Sequence, residues 1–313
     1  MKKIALVAAL AAIAAPAFAQ SSVTLYGRLN TTVESQKIGT ADRKIVVANN
    51  ASRIGFMGKE ELGGGLSAGF DIEHGFNSDD GKQTGTAFWN RESSVYLAGS
   101  FGTVRLGSWT PASYFATADY VSMHNHDTGS SSDALYSGAG FTQTNKVAYK
   151  TPTISGFNAE FALHAGEGAP GEKKGYDLGA YYDQGPIHLG LGYSKQGVGD
   201  QLALRGLFEM GAWVFGGYIQ QESVDGLPAS QKDTRLIGRA SVMYTMGASE
   251  FHLNYGGSKA GGYLQGSGAE QYTLAYNYNL SKRTKIYGYY TAIQSSINSR
   301  DFSSYAAGIR HNF

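Results

Sequence analysis

Arg28, Arg53, Lys59, Arg105, Lys146, Lys150 and Arg310 share one property. Within their segments they alternate with apolar residues and so fall on the opposite face. Arg91 stands in a segment whose parity is ambiguous. A second group is acidic. The stretch after Trp109, TPASYFATADYVSMHNHDTGSSSDALYSGAGF, carries Asp119, Asp127 and Asp133 and no Lys or Arg. Cations on one side of a narrow aqueous passage and carboxylates on the other would set up a transverse field, which orients and filters polar solutes. Charge facing a water-filled lumen is tolerated and tunes selectivity, whereas charge facing lipid is costly.

Other chemistry fares worse. GEGAPGEK at Gly166–Lys173 resembles a phosphate loop only superficially: Glu172 follows Gly171 where Lys is needed, and no helix follows. His124 and His126, beside Asp127, could hold a metal, but no further histidine stands near them. Catalysis needs a nucleophile, a base and an orienting group in one constellation. None of the 7 histidines is spaced to mark one. The enzymatic rival would be an outer-membrane lipase or protease, and nothing here marks a nucleophile. No catalytic residue, metal site or cofactor is expected.

The charged faces must be carried by elements that the sequence also announces. Lys2 and Lys3, the apolar run Ile4–Ala15, Pro16 and the small-x-small Ala17-Phe18-Ala19 read as a cleaved secretory signal peptide over residues 1–19. One domain is expected over residues 20–313. The whole chain has 26 basic and 25 acidic residues, and loss of the leader's two lysines turns its formal net charge from +1 to −1. Such a balance carries no bias toward nucleic acid. There is no cysteine, so an exported chain gains no disulfide staple.

Beyond the leader, alternation of period two runs to the last residue. Val23, Leu25, Leu29 and Val33 alternate with Thr24, Arg28, Asn30 and Thr32. Tyr272, Leu274, Tyr276 and Tyr278 alternate with Gln271, Thr273, Ala275 and Asn277, and Tyr305, Ala307, Ile309 and Phe313 with Ser304, Ala306, Arg310 and Asn312. Strands with one apolar and one polar face suit a soluble sandwich or a membrane barrel equally. Loop asymmetry and strand number favour the barrel. Short turns are expected at Leu62–Gly65, Ser100–Gly102, Ser155–Gly156, Gly185–Pro186 and Ser281–Lys282. Long ones are expected at Ser35–Asn49, His74–Gly85, Gly166–Gly175, Val224–Asp233, Gly257–Gly268 and Ser295–Asp301. Roughly 16 strands are counted, an even number. In lipid no open sheet edge is tolerated, so the sheet must close. A barrel this wide cannot be filled by side chains and keeps an aqueous channel. Trp89, Trp109, Tyr278 and Tyr290 are candidates for interfacial girdles.

Several segments carry a family resemblance: SSVTLYGRL at Ser21–Leu29, SRIGFMGKEELGGGLSAGF at Ser52–Phe70, SFGTVRLG at Ser100–Gly107, NKVAYKTPTISGF at Asn145–Phe157, and the terminal Phe313. Over its whole length the chain resembles the general diffusion porins of Gram-negative bacteria, of the neisserial and burkholderial type. The resemblance implies an all-β, 16-stranded antiparallel transmembrane β-barrel, a homotrimer, and a third loop folded inward as a pore constriction. It also implies that the acids of that loop, Asp119, Asp127 and Asp133, oppose Arg28, Arg53, Arg105 and Lys146 on the wall. Met57 and Ser108 stand where the family often has a basic residue, which thins the ladder.

The function implied is passive diffusion of ions and small hydrophilic solutes across the outer membrane. The alternatives are a barrel serving mainly as a surface or adhesion anchor, and a substrate-specific channel. The expected partners are outer-membrane lipid and lipopolysaccharide, further copies of the chain, and the barrel-assembly machinery, which would read Phe313.

Overall fold

The computed structural model describes residues 22–117, 124, 127–136, 138–168, 173–226, 234–259 and 268–313. The expected leader lies outside them. Almost all regular structure is strand, as the period-two pattern requires: β1 (Ser22–Ile38), β2 (Lys44–Asn49), β3 (Arg53–Gly63), β4 (Leu66–Gly75), β5 (Glu92–Gly99), β6 (Gly102–Ser108), β7 (Lys146–Lys150), β8 (Phe157–His164) and β9 (Gly175–Gln184). There follow β10 (Ile187–Gln196), β11 (Gly199–Met210), β12 (Trp213–Val224), β13 (Thr234–Met246), β14 (Ser249–Ser258), β15 (Ala269–Asn279), β16 (Thr284–Ser295) and β17 (Phe302–Asn312).

Neighbours in sequence pair antiparallel, and β1 pairs with β17 to close the ring. The outer half of β1 pairs with β2, from Thr31↔Asn49 to Gln36↔Lys44, and its inner half with β3, from Ser22↔Lys59 to Arg28↔Arg53. β2 and β3 are therefore one wall strand interrupted at 50–52, where Ala51 has φ 57°. The segments make a 16-stranded barrel, as expected. The last residue completes it: Phe313 and Gly27 exchange backbone hydrogen bonds of 3.0 and 3.1 Å.

The faces settle which of the two environments the strands are built for. Leu25, Leu29, Val33, Leu274, Tyr305 and Ile309 point outward and are exposed. Asn30, Thr32, Glu34, Gln201, Gln220, Gln271, Thr273 and Asn277 point inward and are buried. A polar interior inside an apolar belt is the inverse of a water-soluble sandwich. It is the arrangement of a barrel in lipid, whose exposed apolar belt would be an aggregation hazard in water.

The short turns fall at one end, including Gly185–Pro186 between β9 and β10. At the other end the connections are longer, with two corrections. The expected long segment Ser35–Asn49 is mostly strand: β1 runs to Ile38 and β2 starts at Lys44, leaving only residues 39–43 as the turn. The end of β1 is polar, and β2, with Ile45 and Val47 outward, is only 6 residues long, so the hydrophobic pattern there is short while the hydrogen-bond ladder continues. Residues 197–198 form a tight turn on the same end, between β10 and β11.

Trp109 is also corrected. It does not sit in an interfacial girdle. It is buried against the inward Ala148 and Ala162, because its backbone N–H donates to Gln143 at 3.0 Å and closes the base of the long β6–β7 loop. Tyr278 and Tyr290 do face outward, and Trp89 packs edge-on against Phe88.

Candidate functional site

The loop between β6 and β7 touches inward-facing residues around most of the barrel. Near its start a 3-10 turn, Ala112–Ala116, rests on β9 and β10. The Ser113 N–H donates to Asp177 of β9 at 3.2 Å, and its hydroxyl donates to the same carboxylate. Such an approach requires a bare wall. At Gly192 of β10 a Cβ would collide with the Ser113 carbonyl.

Further along, Ser130 donates its hydroxyl to Glu34 at 2.5 Å and its N–H to Tyr289 at 3.1 Å. Glu34 is fully buried and also accepts from Thr32, Gln36, Tyr289 and Ser304, at 2.6–2.9 Å. A buried carboxylate is tolerable only with its acceptor sites filled in this way. Gly129, with φ 52°, passes so near Asn50, Tyr289 and Glu34 that any Cβ would clash.

The expected acids have three different fates. Asp127 lies beside the predicted cations: its Oδ2 is 3.3 Å from Arg28 and 3.2 Å from Arg53. Arg28 and Arg53 stand directly opposite each other across β1 and β3. A like-charged cross-strand pair is unfavourable alone, and Asp127 bridges it. Burial pushes the Asp127 carboxyl up, but Arg53, Arg91 and Arg28 together hold it below the ordinary aspartate value.

Asp133 does not face Arg28, Arg53, Arg105 or Lys146. It pairs with Arg239 of β13 at 2.9 Å, with both side chains fully buried, and accepts from Tyr218 of β12. Leu135, two residues on, packs on Tyr218 and Ile237. The physical reason is local: Arg239 is an inward, buried cation on β13 where Asp133 meets the wall, and the carboxylate neutralises it. Asp119 lies outside the described residues, as does His126.

The remaining cations sit on the wall from β3 to β7 and on β17. Arg105 pairs with Glu92 and lies 3.5 Å from Asp71. Its guanidinium stacks 4.6 Å from the centre of the Trp109 ring, and the Lys146 ammonium lies 4.2 Å from it. Arg91, of ambiguous parity in the sequence, turns inward and pairs with Glu73 of β4, which also lies 3.8 Å from Arg53. Arg310 is the diagonal neighbour of Arg28 on the same face, one register step from the direct pair Arg28↔Asn312.

Around Asp127, therefore, Arg28, Arg53 and Arg91 are answered by two carboxylates, Asp127 and Glu73. Lys59 stands nearer the short-turn end, paired with Glu61 at 2.6 Å.

Sequence reasoning passed over Glu34, Asp177, Arg239 and Lys285, the last on β16 and 3.5 Å from Glu250 of β14. Arg239 could have been found by parity, since Leu236 on its strand faces out. The tyrosine and serine partners of Glu34 carry no such signal.

His124 is fully buried. Its Nε2 is 2.8 Å from Asn277 Oδ1, and its ring is 4.8 Å from that of His252. Burial, and then the neighbouring His252, push its pKa down to about 3, so it is neutral at physiological pH. No group of three or more metal-ligating side chains occurs among the described residues.

A closed barrel with an apolar outer belt, a polar lumen and a charged loop against the inner wall defines an outer-membrane channel. Comparison with known proteins agrees. A family model described as Gram-negative porin matches residues 5–298, and the chain belongs to that family. It is similar to outer membrane porin protein 32 of Delftia acidovorans, 33% identical over 92% of this chain and 88% of the relative. It is also similar to an outer membrane porin of Bordetella pertussis, 28% identical over the full length of both.

Among solved structures, an anion-selective porin from Comamonas acidovorans superposes with a TM-score of 0.77 at 26% identity, covering 94% of this chain and all of that one. A trimer form of the Vibrio cholerae outer membrane protein OmpT shares the fold, with a TM-score of 0.69 at 14% identity over 94% of this chain and 99% of its own. The protein is an outer-membrane porin of a Gram-negative bacterium, a water-filled channel for passive diffusion of ions and small hydrophilic solutes.

Proposed function

We propose that this channel favours anions and that the Asp127 neighbourhood sets the preference. The observation that carries this reading is the imbalance there: three guanidiniums, on β1, on β3 and just before β5, meet two carboxylates. A pore lined by one excess sign of charge concentrates its counter-ions. The similar porin from Comamonas acidovorans is anion-selective.

In this account Arg28, Arg53, Arg105 and Lys146 line the constriction and Asp127 trims their field. Asp133 anchors the loop through Arg239 without contributing to selection. Replacing Arg28 and Arg53 together by glutamine tests the assignment. The reversal potential under a KCl gradient should move toward the value of a non-selective pore, and an unchanged potential would exclude these residues from the filter.

The chain is further proposed to reach the membrane with a signal peptide removed after Ala19. Phe313 would be offered to the assembly machinery before its strand closes on Gly27. The barrel would then sit as a homotrimer in a leaflet of lipopolysaccharide. The terminal aromatic strand and the family resemblance support these readings.

A further inference from the structure

The inward face of β13 departs from the polar pattern of the lumen. It carries Arg235, Ile237, Arg239 and Ser241, and a water-filled pore calls for polar residues there. Ile237 nevertheless meets no water, with a relative exposure of 0%. What covers it is Leu135 of the β6–β7 loop, itself 1% exposed. The Tyr218 ring of β12 flanks the pair, and Ala269 at the start of β15 packs against it. Gly256 of β14 leaves the remaining room, since a Cβ there would come within 3.1 Å of Leu135 Cδ1. Neighbouring strands from β12 to β15 thus build a dry socket for a single side chain of the loop.

Elsewhere this arm of the loop, residues 127–136, is tied to the wall by polar groups. Ser130 donates to Glu34, and the Ala134 N–H donates to Gln271 at 3.1 Å. The Gln271 amide donates in turn to the Ser132 carbonyl at 2.8 Å. Asp133 meets Arg239, and the Leu135 N–H donates to the same carboxylate at 2.9 Å. In a wet lumen water can take the place of each hydrogen-bond partner, so each bond nets little. Leu135 differs. Withdrawing it exposes its own surface, Ile237 and the Tyr218 ring together, and water offers these nothing in return. Withdrawal also admits water to the fully buried Asp133–Arg239 pair, whose attraction is strong only in dry surroundings.

We propose that Leu135 is the positioning residue that keeps the pore conducting. Seated in its socket, it holds the arm against the wall and clear of the water path. Out of the socket, the arm lies across the lumen and the current falls. The loop is closed at its base by the Trp109 N–H donating to Gln143, so a released arm stays inside the barrel. The socket governs how long the pore conducts. It does not govern which ion the pore prefers, because no charge changes place on the arginine wall of β1 and β3.

The test is single-channel recording of the refolded full-length mature chain in KCl at fixed voltage. It reads the ratio of time spent at reduced conductance to time spent at full conductance. Leu135→Ala should raise that ratio about tenfold, the loss of most of one buried leucine side chain. Full conductance and its reversal potential should stay as they are. Leu135→Met, which nearly keeps the volume, should return the ratio to within about threefold of the natural protein. Ile237→Ser removes the other half of the same contact, so it should match Leu135→Ala and add little to it in the double variant. Circular dichroism and the heat-modifiable band on gels report that each barrel is folded. An unchanged ratio in Leu135→Ala would overturn the proposal. So would a steady current above the natural level, since the seated arm would then be the obstruction. Full additivity of the two substitutions would overturn it as well, by placing their effects in separate contacts.

Discussion

At the scale of single residues, the lumen is organised by what each buried charge is paired with. Asp133 and Arg239 are both fully buried. Removing one partner of such a pair strands the other in a medium that cannot solvate it, at a cost of about 3 kcal/mol or more. Arg239→Met should therefore lower barrel stability by about that amount, measured as the shift in the urea midpoint of protein folded in lipid vesicles. It should leave the sign of ion selectivity unchanged, because the proposal gives Asp133 an anchoring role and not a selecting one. Asp127 is different, since it bridges two arginines that oppose each other across the sheet. Asp127→Asn would leave the cluster more positive and should strengthen anion preference in reversal-potential measurements. A shift toward cations would show that the carboxylate does not act on the filter.

At the scale of elements, the long loop behaves as a strap held at separate points: Ser113 on Asp177, His124 on Asn277, Ser130 on Glu34, and Asp133 on Arg239. Its seat on β10 depends on an absent side chain. Gly192→Val should drive Ser113 off the wall and alter single-channel conductance and current noise, with the barrel's strand content unchanged by circular dichroism. The His124 anchor sets a pH dependence. With its pKa lowered to about 3 when seated, against about 6.5 when solvated, seating is unpenalised above pH 6.5 and loses stability as pH falls from there toward 3. Glu250, His252 and Lys285 face the same spot from β14 and β16 and are part of that environment. Current flicker should rise in this acid window and should be reduced by His124→Gln, which keeps a donor toward Asn277.

Legibility differs between these elements. The strands were readable because a period of two records which face meets lipid, and that rule placed Arg28, Arg53, Arg105, Lys146 and Arg310 on the inner wall. The strap's attachments were not readable. Asp133 and Arg239 are 106 residues apart, and nothing local in the loop distinguishes an acid that anchors from one that filters. The first loop was misjudged because β1 ends in polar residues and β2, although Ile45 and Val47 face outward, is only 6 residues long.

At the scale of the whole molecule, the protein inverts the usual distribution, with lipid taking the place of a hydrophobic core. Exposed Leu25, Leu274 and Ile309 outside and buried Glu34, Gln220 and Gln271 inside are stable together only around a closed ring. The ring closes along the β1–β17 seam, from Ile38↔Phe302 to Arg28↔Asn312, and the Gly27–Phe313 pair extends it to the last residue. Deleting Phe313 should lower the yield of assembled barrel in cells, read as loss of the heat-modifiable folded band on gels. A normal yield would show that the terminal aromatic is dispensable. If the molecule is a trimer, cross-linked protein in detergent should run as three chains and conductance should arrive in threes.

The central claim, a water-filled channel with an excess of fixed positive charge at its narrowest part, is tested most directly by single-channel recording of the refolded mature protein under a KCl gradient. The account predicts discrete conductance steps and a reversal potential displaced toward the chloride equilibrium potential. Silence from protein shown to be folded and inserted would contradict the channel. Steps with a potential displaced toward potassium would contradict the assignment of the arginines as the dominant field.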